Sequence, residues 1–425
     1  MSEVRDAIPR FVPSASPGEL VRAALGVGGD PWREFSKRFA GYLGVAHAVP
    51  APSARESLAA ILAALELPKG GEVILPALTF HSIPAVIRRN GLEVRFVDVD
   101  PGTLCMDTAR LADAVGPATV AILPVHLHGR AVDMGRVAGV AERRGLAVIE
   151  DCAQAAGGAF RGRRLGAWGT ASFFSFHPAK NLSALWAGTV ATDSGALAGR
   201  VAQRMAALPR IGHVDLAGRA CWSLAMGLGT RPGVWRAVAH PLLLAFAAAG
   251  VDPIDLVTRE TPTGQNLDGS ATAMPSALQG RLALSQLASL DEANAVRIRN
   301  GEHLLARLAG AGGIGLPSPA PRGEDLFHGF VVQVDDRDDF RRRLLRLGID
   351  THPGNMVAGP EVPGYADTGE CRVASDAVRR MVHLPVHPGM TIPDVDRVAD
   401  AVLAVLAVRS RARPCDAVRR NGRRR

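Results

Sequence analysis

Short β-rich apolar runs alternate with longer alanine- and leucine-rich stretches through the first half of the chain. The pattern predicts strands at Glu72–Leu75, Val94–Val99, Val120–Val125, Ala147–Glu150, Ser172–Phe176 and Thr189–Thr192. Helical spacing, as in Ile83–Arg89 and Met134–Arg144, fills the intervals between the first four. Strands separated by helices of that length imply βαβ crossovers and a mainly parallel sheet with both faces covered. Such α/β sheets bind ligands beyond the carboxyl ends of their strands, so strand-end residues carry the interest.

The rhythm breaks between Leu208 and Thr263, where several Gly and Pro and the apolar run Pro241–Val251 predict an insertion of two or three helices. A long amphipathic helix is expected from Pro275, with Leu278, Leu282 and Leu290 on its apolar stripe. Beyond it come a strand at Phe330–Val334, a helix at Asp338–Leu347 ended by Gly348, a strand at Met381–Pro385 and a helix from Pro393 to Val408. The expected organisation is a large α/β domain over residues 1–264, with the insertion at 208–263. The long helix and a smaller α+β domain take 265–408, and a basic tail follows at 409–425.

Composition narrows the class. The chain has 425 residues, 47% of them hydrophobic and 21% charged, as in an ordinary soluble globular protein. Its net charge of +8 would suggest nucleic acid, but eight arginines against one aspartate lie from Arg409 onward. The body is near neutral, which argues against nucleic-acid binding, and the tail is expected to be a solvated extension. Five widely spaced cysteines without a Cys-x-x-Cys pair fit neither a disulfide framework nor a zinc site and suit a reducing cytoplasm. The first residues are charged, with no signal-peptide core, and no apolar run approaches the roughly 20 residues needed to span a bilayer.

The basic residues single out one position. Only Lys37, Lys69 and Lys180 are lysines, against 46 arginines. Arginine keeps its proton in a protein, whereas a lysine amine can lose it and form a Schiff base. Lys37 sits in a polar helical run and Lys69 in a turn, but Lys180 closes Phe173-Phe174-Ser175-Phe176-His177-Pro178-Ala179-Lys180. Alone it could be a surface lysine with a buried stem. Asp151, at the end of its own strand, could equally cap a following helix. Together, Asp151, Gln154, Ser175 and Lys180 bring carboxylate, amide, hydroxyl and amine to one sheet edge. That set suits pyridoxal phosphate, which needs an amine for its aldehyde and an acid for its ring nitrogen. A helix opening at Ser53-Ala54-Arg55 could hold the phosphate, or Ser53 could be a plain N-cap. Phe80, at another strand end, could stack on the ring or belong to the core. His126 and His128 have no acidic partner at ligand spacing and are taken as structural.

These residues carry a family resemblance. The runs Val73–Phe80, Phe96-Val97-Asp98-Val99-Asp100, Pro124–Arg130, Glu150–Ala155, Gly162–Asn181 and Leu384–Thr391 resemble, in order, the DegT/DnrJ/EryC1/StrS group of PLP-dependent sugar aminotransferases. The resemblance implies fold type I, a homodimer, and transfer of nitrogen from glutamate or glutamine to a keto-sugar or keto-cyclitol. Such chemistry serves secondary-metabolite or surface-sugar assembly. It assigns Lys180 to the cofactor aldehyde and proton transfer, Asp151 to the ring nitrogen and Gln154 to the ring hydroxyl. Phe80 would stack, while Ser175 and Ser53-Ala54-Arg55 would hold phosphate.

Three stretches depart from the family pattern. Ser53-Ala54-Arg55 stands where the family has Ser-Gly-Thr, and Trp186-Ala187-Gly188 where it has an acidic residue and two glycines. Asn266 matches the asparagine of an Asn-Tyr-Arg motif, but Leu267 and Asp268 follow it. Two alternatives stay open on these grounds: a sugar dehydratase, in which relatives replace the lysine with histidine, and a non-catalytic binding or regulatory protein.

Overall fold

The computed structural model describes residues 7–251, 273–321, 323–365 and 371–412. Asn266, the end of the insertion and tail residues 413–425 lie outside them. The apolar runs pair into a seven-stranded sheet. Its order is β1 (His47–Ala51), β10 (Gly188–Thr192), β9 (Ala171–Ser175), β6 (Ala147–Asp151), β5 (Thr119–Ile122), β2 (Glu72–Pro76) and β4 (Glu93–Val97). From β9 to β4 the neighbours are parallel, and β10 and β1 close one edge antiparallel. Strand β1 was not among the expected strands. Its burial is graded rather than alternating, so it carries no period-2 signal.

Pairing puts the chemistry at one edge. Side chains alternate along a strand, so Phe174 and Phe176 share one face of the β9 run, and Phe173 and Ser175 the other. The first pair packs on helix Pro31–Leu43, with Phe39–Phe174 ring centroids 5.0 Å apart and Phe35–Phe176 5.4 Å. On β6 the same alternation parts Glu150 from Asp151. The buried Glu150 carboxylate accepts N–H bonds from Gly166 (2.9 Å), Trp168 (2.7 Å) and Gly169 (2.8 Å), tying the loop before β9 to β6. His126 joins it, with Nδ1 accepting from the Val132 N–H and Nε2 3.3 Å from Glu150. His126 therefore does have an acidic partner, supplied by a strand 24 residues away in sequence.

Glu150→Ala should destabilise the chain by more than about 3 kcal/mol, because three N–H groups lose their acceptor. Glu150→Gln should recover little, since its NH2 must face N–H donors whichever way the amide turns. Urea midpoints of both variants check this, and a near-wild-type value for either would refute it.

The second layer differs from expectation at its first helix. Ser276, not Pro275, starts it, through a capping box with Gln279, and the helix breaks at Ser289 into Ala277–Ala288 and Leu290–Leu308. A smaller core, including Leu304, Phe330, Phe340 and Val398, forms between Leu290–Leu308, Arg337–Arg346, Ile392–Ala412 and the β11 (Phe330–Gln333)–β13 (Met381–Leu384) ribbon. Two devices seat this layer on the first. Strand β12 (Met356–Ala358) pairs antiparallel with β3 (Leu78–Phe80). Buried Asp98 accepts from the N–H groups of Val373 and Ala374, capping helix Arg372–Arg380 from outside. A two-residue pairing of β7 (Ala159–Phe160) with β8 (Arg163–Arg164) completes the strands. The insertion is helical at His213–Gly229 and again from Pro232 to Ala248.

Candidate active site

The carboxyl ends of the adjacent parallel strands β5, β6 and β9 lie along one edge of the sheet. Asp151 ends β6, bonded through its backbone to Pro124 and His126, and only 5% of it is exposed. Its Oδ1 accepts from the Ala153 N–H at 2.9 Å, so it caps a turn rather than a helix. Lys180 lies in the turn after β9, its N–H bonded to the His177 carbonyl.

The two charges act on each other. Burial lowers the Lys180 ammonium to about 8, with Asp151 opposing the shift. Burial raises Asp151 to about 6, against the Ala153 N–H and then the charges of Lys180 and His126. An amine that gives up its proton more readily than usual thus lies within electrostatic reach of a buried carboxylate that accepts one N–H bond. Lys37 and Lys69 are exposed on the surface.

The other expected residues sit on several different elements. Gln154 Oε1 accepts from the His128 N–H at 2.7 Å. Ser175 ends β9 opposite Gly188. Ser53 is indeed an N-cap: its hydroxyl accepts from the Glu56 N–H, opening helix Ala54–Leu65. The first-turn amides of Ala54 and Arg55 have no acceptor within the helix, and Arg55 acts electrostatically on His177, beside Lys180. A Cβ on Gly188 would lie 2.6 Å from the Ser53 carbonyl carbon, so only glycine lets β10 back this turn so closely. Phe80 is half-buried on β3, its ring centroid 4.4 Å from that of His81.

Several residues here were not picked out from the sequence. Asn181 donates to Asn294 (3.0 Å) and pairs with His328 Nδ1 (2.6 Å), while Arg297 reaches the same Asn294 oxygen (3.3 Å). Burial lowers Arg297 to about 10; its hydrogen bonds among the described residues go to neutral oxygens of Asn294 and Ser14. Ser14 in turn donates to the Lys180 carbonyl at 2.6 Å, fastening the N-terminal segment over the lysine turn. Asn181 was legible as the neighbour of Lys180, but Arg297 and His328 carry no local signal.

The altered stretch after the lysine takes an unusual backbone. Leu185 and Trp186 have φ of 52° and 63°, a left-handed conformation that costs roughly 1–2 kcal/mol for each non-glycine residue. Gln279 donates to the carbonyls of Ala184 and Leu185, and Arg219 to those of Leu185 and Trp186, which holds the turn in place. The Trp186 ring then stands 5.1 Å from His177 and 5.0 Å from Trp222 of the insertion.

Known proteins share this architecture. A model of the DegT/DnrJ/EryC1/StrS aminotransferase family matches residues 19–232 and 255–403, passing over most of the second helical run of the insertion. The L-glutamine:2-deoxy-scyllo-inosose aminotransferase of Streptoalloteichus tenebrarius is 36% identical over 82% of this chain and 72% of its own. The dTDP-3-amino-3,4,6-trideoxy-alpha-D-glucose transaminase of Streptomyces venezuelae is 31% identical over 87% of this chain and 85% of its own. Among solved structures, the sugar aminotransferase CalS13 from Micromonospora echinospora superposes with a TM-score of 0.71 at 26% identity. That match covers 93% of this chain and 99% of CalS13.

Proposed function

The chain belongs to the DegT/DnrJ/EryC1/StrS aminotransferase family, and on that premise we propose that it moves an amino group from glutamine or glutamate to a keto-sugar or keto-cyclitol with pyridoxal phosphate. The observation that carries the reading is the mutual electrostatic influence of Lys180 and Asp151, which lie after and at the carboxyl ends of the adjacent parallel strands β9 and β6. The donor set suits the cofactor: an amine easily freed of its proton, a buried carboxylate short of partners, and a helix N-terminus with an arginine at its mouth. When bound, the cofactor supplies an electrophilic aldehyde and an electron-withdrawing pyridinium ring.

The chain's own groups do the rest. Lys180 would hold the aldehyde and, through its easily released proton, would serve as the acid and base at the reacting carbons. Asp151 would keep the ring nitrogen protonated, and its raised affinity for a proton marks a carboxylate that gains from a cationic neighbour. Gln154 would hold the ring hydroxyl, Phe80 would stack on the ring, and Ser175 with Ser53, Ala54 and Arg55 would hold the phosphate. The two relatives above act, by their names, on a cyclitol ketone and a nucleotide sugar, which supports a ring ketone as acceptor here.

The test is spectroscopic. Added pyridoxal phosphate should give a visible band that L-glutamine or L-glutamate bleaches as a 2-oxo acid appears. Borohydride should fix the label on the peptide that holds Lys180. No bleaching with any amino donor would favour a binding or regulatory protein instead. We also propose that the chain works in the cytoplasm as a homodimer, which sedimentation at micromolar concentration checks. No helix among the described residues is long and apolar enough to cross a membrane.

A further inference from the structure

Three buried nitrogen atoms have no hydrogen-bond partner among the described residues: both ring nitrogens of His128, which lies within electrostatic reach of Lys180, and Nε2 of His383. They come from opposite layers of the molecule. His128 follows β5 and His383 lies on β13, and their rings meet edge to face with centroids 4.8 Å apart. An unsatisfied buried polar group costs about 1–3 kcal/mol. The backbone at His128 adds to this, with φ of 58°. It is held there by the Gln154 side chain on its N–H and the Gly329 N–H on its carbonyl. Gly329 also makes room for the second ring, since a Cβ there would lie 2.7 Å from His383 Nδ1. A phenylalanine at either position would keep the ring packing and remove the orphaned nitrogens. Stability alone therefore does not account for two imidazoles.

Both rings are uncharged at neutral pH. Burial, then His383 and Lys180, hold His128 well below the usual histidine range. Burial, then Arg341, lowers His383 to about 4. A neutral imidazole offers one donor and one acceptor. That pairing matches a hydroxyl, which is also both. It suits a carboxylate or phosphate poorly, because the acceptor nitrogen would face another lone pair.

We propose that His128 and His383 together bind ring hydroxyls of the amino acceptor, so that this site takes a polyhydroxylated ring ketone and discriminates against deoxygenated ones. The proposal rests on the aminotransferase reading for the word acceptor, but the hydroxyl site itself does not. A site built to bond a hydroxyl rejects the analogue lacking it far more strongly than an apolar pocket rejects an added one. The lone nitrogens would then be orphaned again in the complex.

Binding without turnover tests it first. Saturation-transfer NMR of the full chain should detect myo-inositol, and H128F with H383F together should weaken the signal at least about tenfold. H128Q, which keeps a donor and an acceptor, should retain most of it and shows that loss is not misfolding. An absent signal in the wild type, or an unchanged one in the double variant, would overturn the proposal.

The half-reactions of the loaded enzyme separate the two readings. H128F should lower kcat/KM for the fully hydroxylated ketone scyllo-inosose about 100-fold, mainly through KM, with the L-glutamine half-reaction within threefold of wild type. Equal losses in both half-reactions would make His128 a support for Gln154 and overturn the hydroxyl role. Failure of the aminotransferase reading would appear differently, as no donor half-reaction at all while myo-inositol still binds.

Discussion

Lys180→Ala should leave a folded chain with turnover reduced by about 10⁴-fold or more, since it removes both the group that holds the cofactor and the proton carrier. No other lysine can substitute, because Lys37 and Lys69 lie exposed on the surface. Lys180→Arg should be equally inactive despite its retained charge, as guanidinium keeps its proton. The sharper test is pH. With the ammonium lowered from 10.5 to about 8, labelling of the unloaded chain by an amine-directed reagent should rise through pH 8 at Lys180. Ordinary surface lysines should follow only near 10. The folded form binds its proton less tightly than the unfolded one. Burying the ammonium therefore counts against stability below pH 8, and the penalty fades as pH climbs toward 10.5. Labelling of Lys180 in step with Lys37 would remove the case for a tuned amine, and turnover in Lys180→Ala would remove the assignment.

Asp151→Asn should separate stability from activity. The carboxyl rises from 3.8 to about 6 on folding, chiefly by burial. The folded state therefore holds the proton more tightly, and folding is penalised once pH passes the unfolded value, in full above the folded one. At about 1.4 kcal/mol per unit, that penalty is on the order of 2–3 kcal/mol above pH 6 and absent below pH 4. The asparagine keeps the oxygen that accepts the Ala153 N–H and carries no charge. It should raise the melting temperature of the unloaded chain at pH 7.5 and leave it unchanged at pH 3.5. Activity should move the other way, falling about 10²- to 10⁴-fold, because an amide cannot hold a proton on the ring nitrogen. A variant no more stable at pH 7.5 would mean that Lys180 already compensates the carboxylate. Unaltered turnover would assign the ring nitrogen to another group.

Local sequence marked the strands, the lysine turn and the strand-end aspartate, because each depends on periodicity, strand ends or residue type within a few positions. Lys180 and Asp151 were legible since both follow apolar runs and the sheet rule points to such ends. The family runs were legible because they keep their order. Partnerships were not. Glu150 and His126 looked unremarkable until strand pairing set them 3.3 Å apart. Arg297 lies 117 positions from Lys180, and His383 lies 255 positions from His128; neither has a sequence signal of its role. Trp186 was visible as a departure, but not the left-handed turn or the Gln279 and Arg219 donors that hold it.

By itself, then, the sequence determined the α/β class, the reactive amine and its acid, since these follow from short-range pattern and side-chain chemistry. Only the tertiary structure decided which buried groups are satisfied and which are left open, as at His128. Hydrogen-bond satisfaction depends on atoms within about 3 Å, and folding draws those atoms from segments hundreds of residues apart.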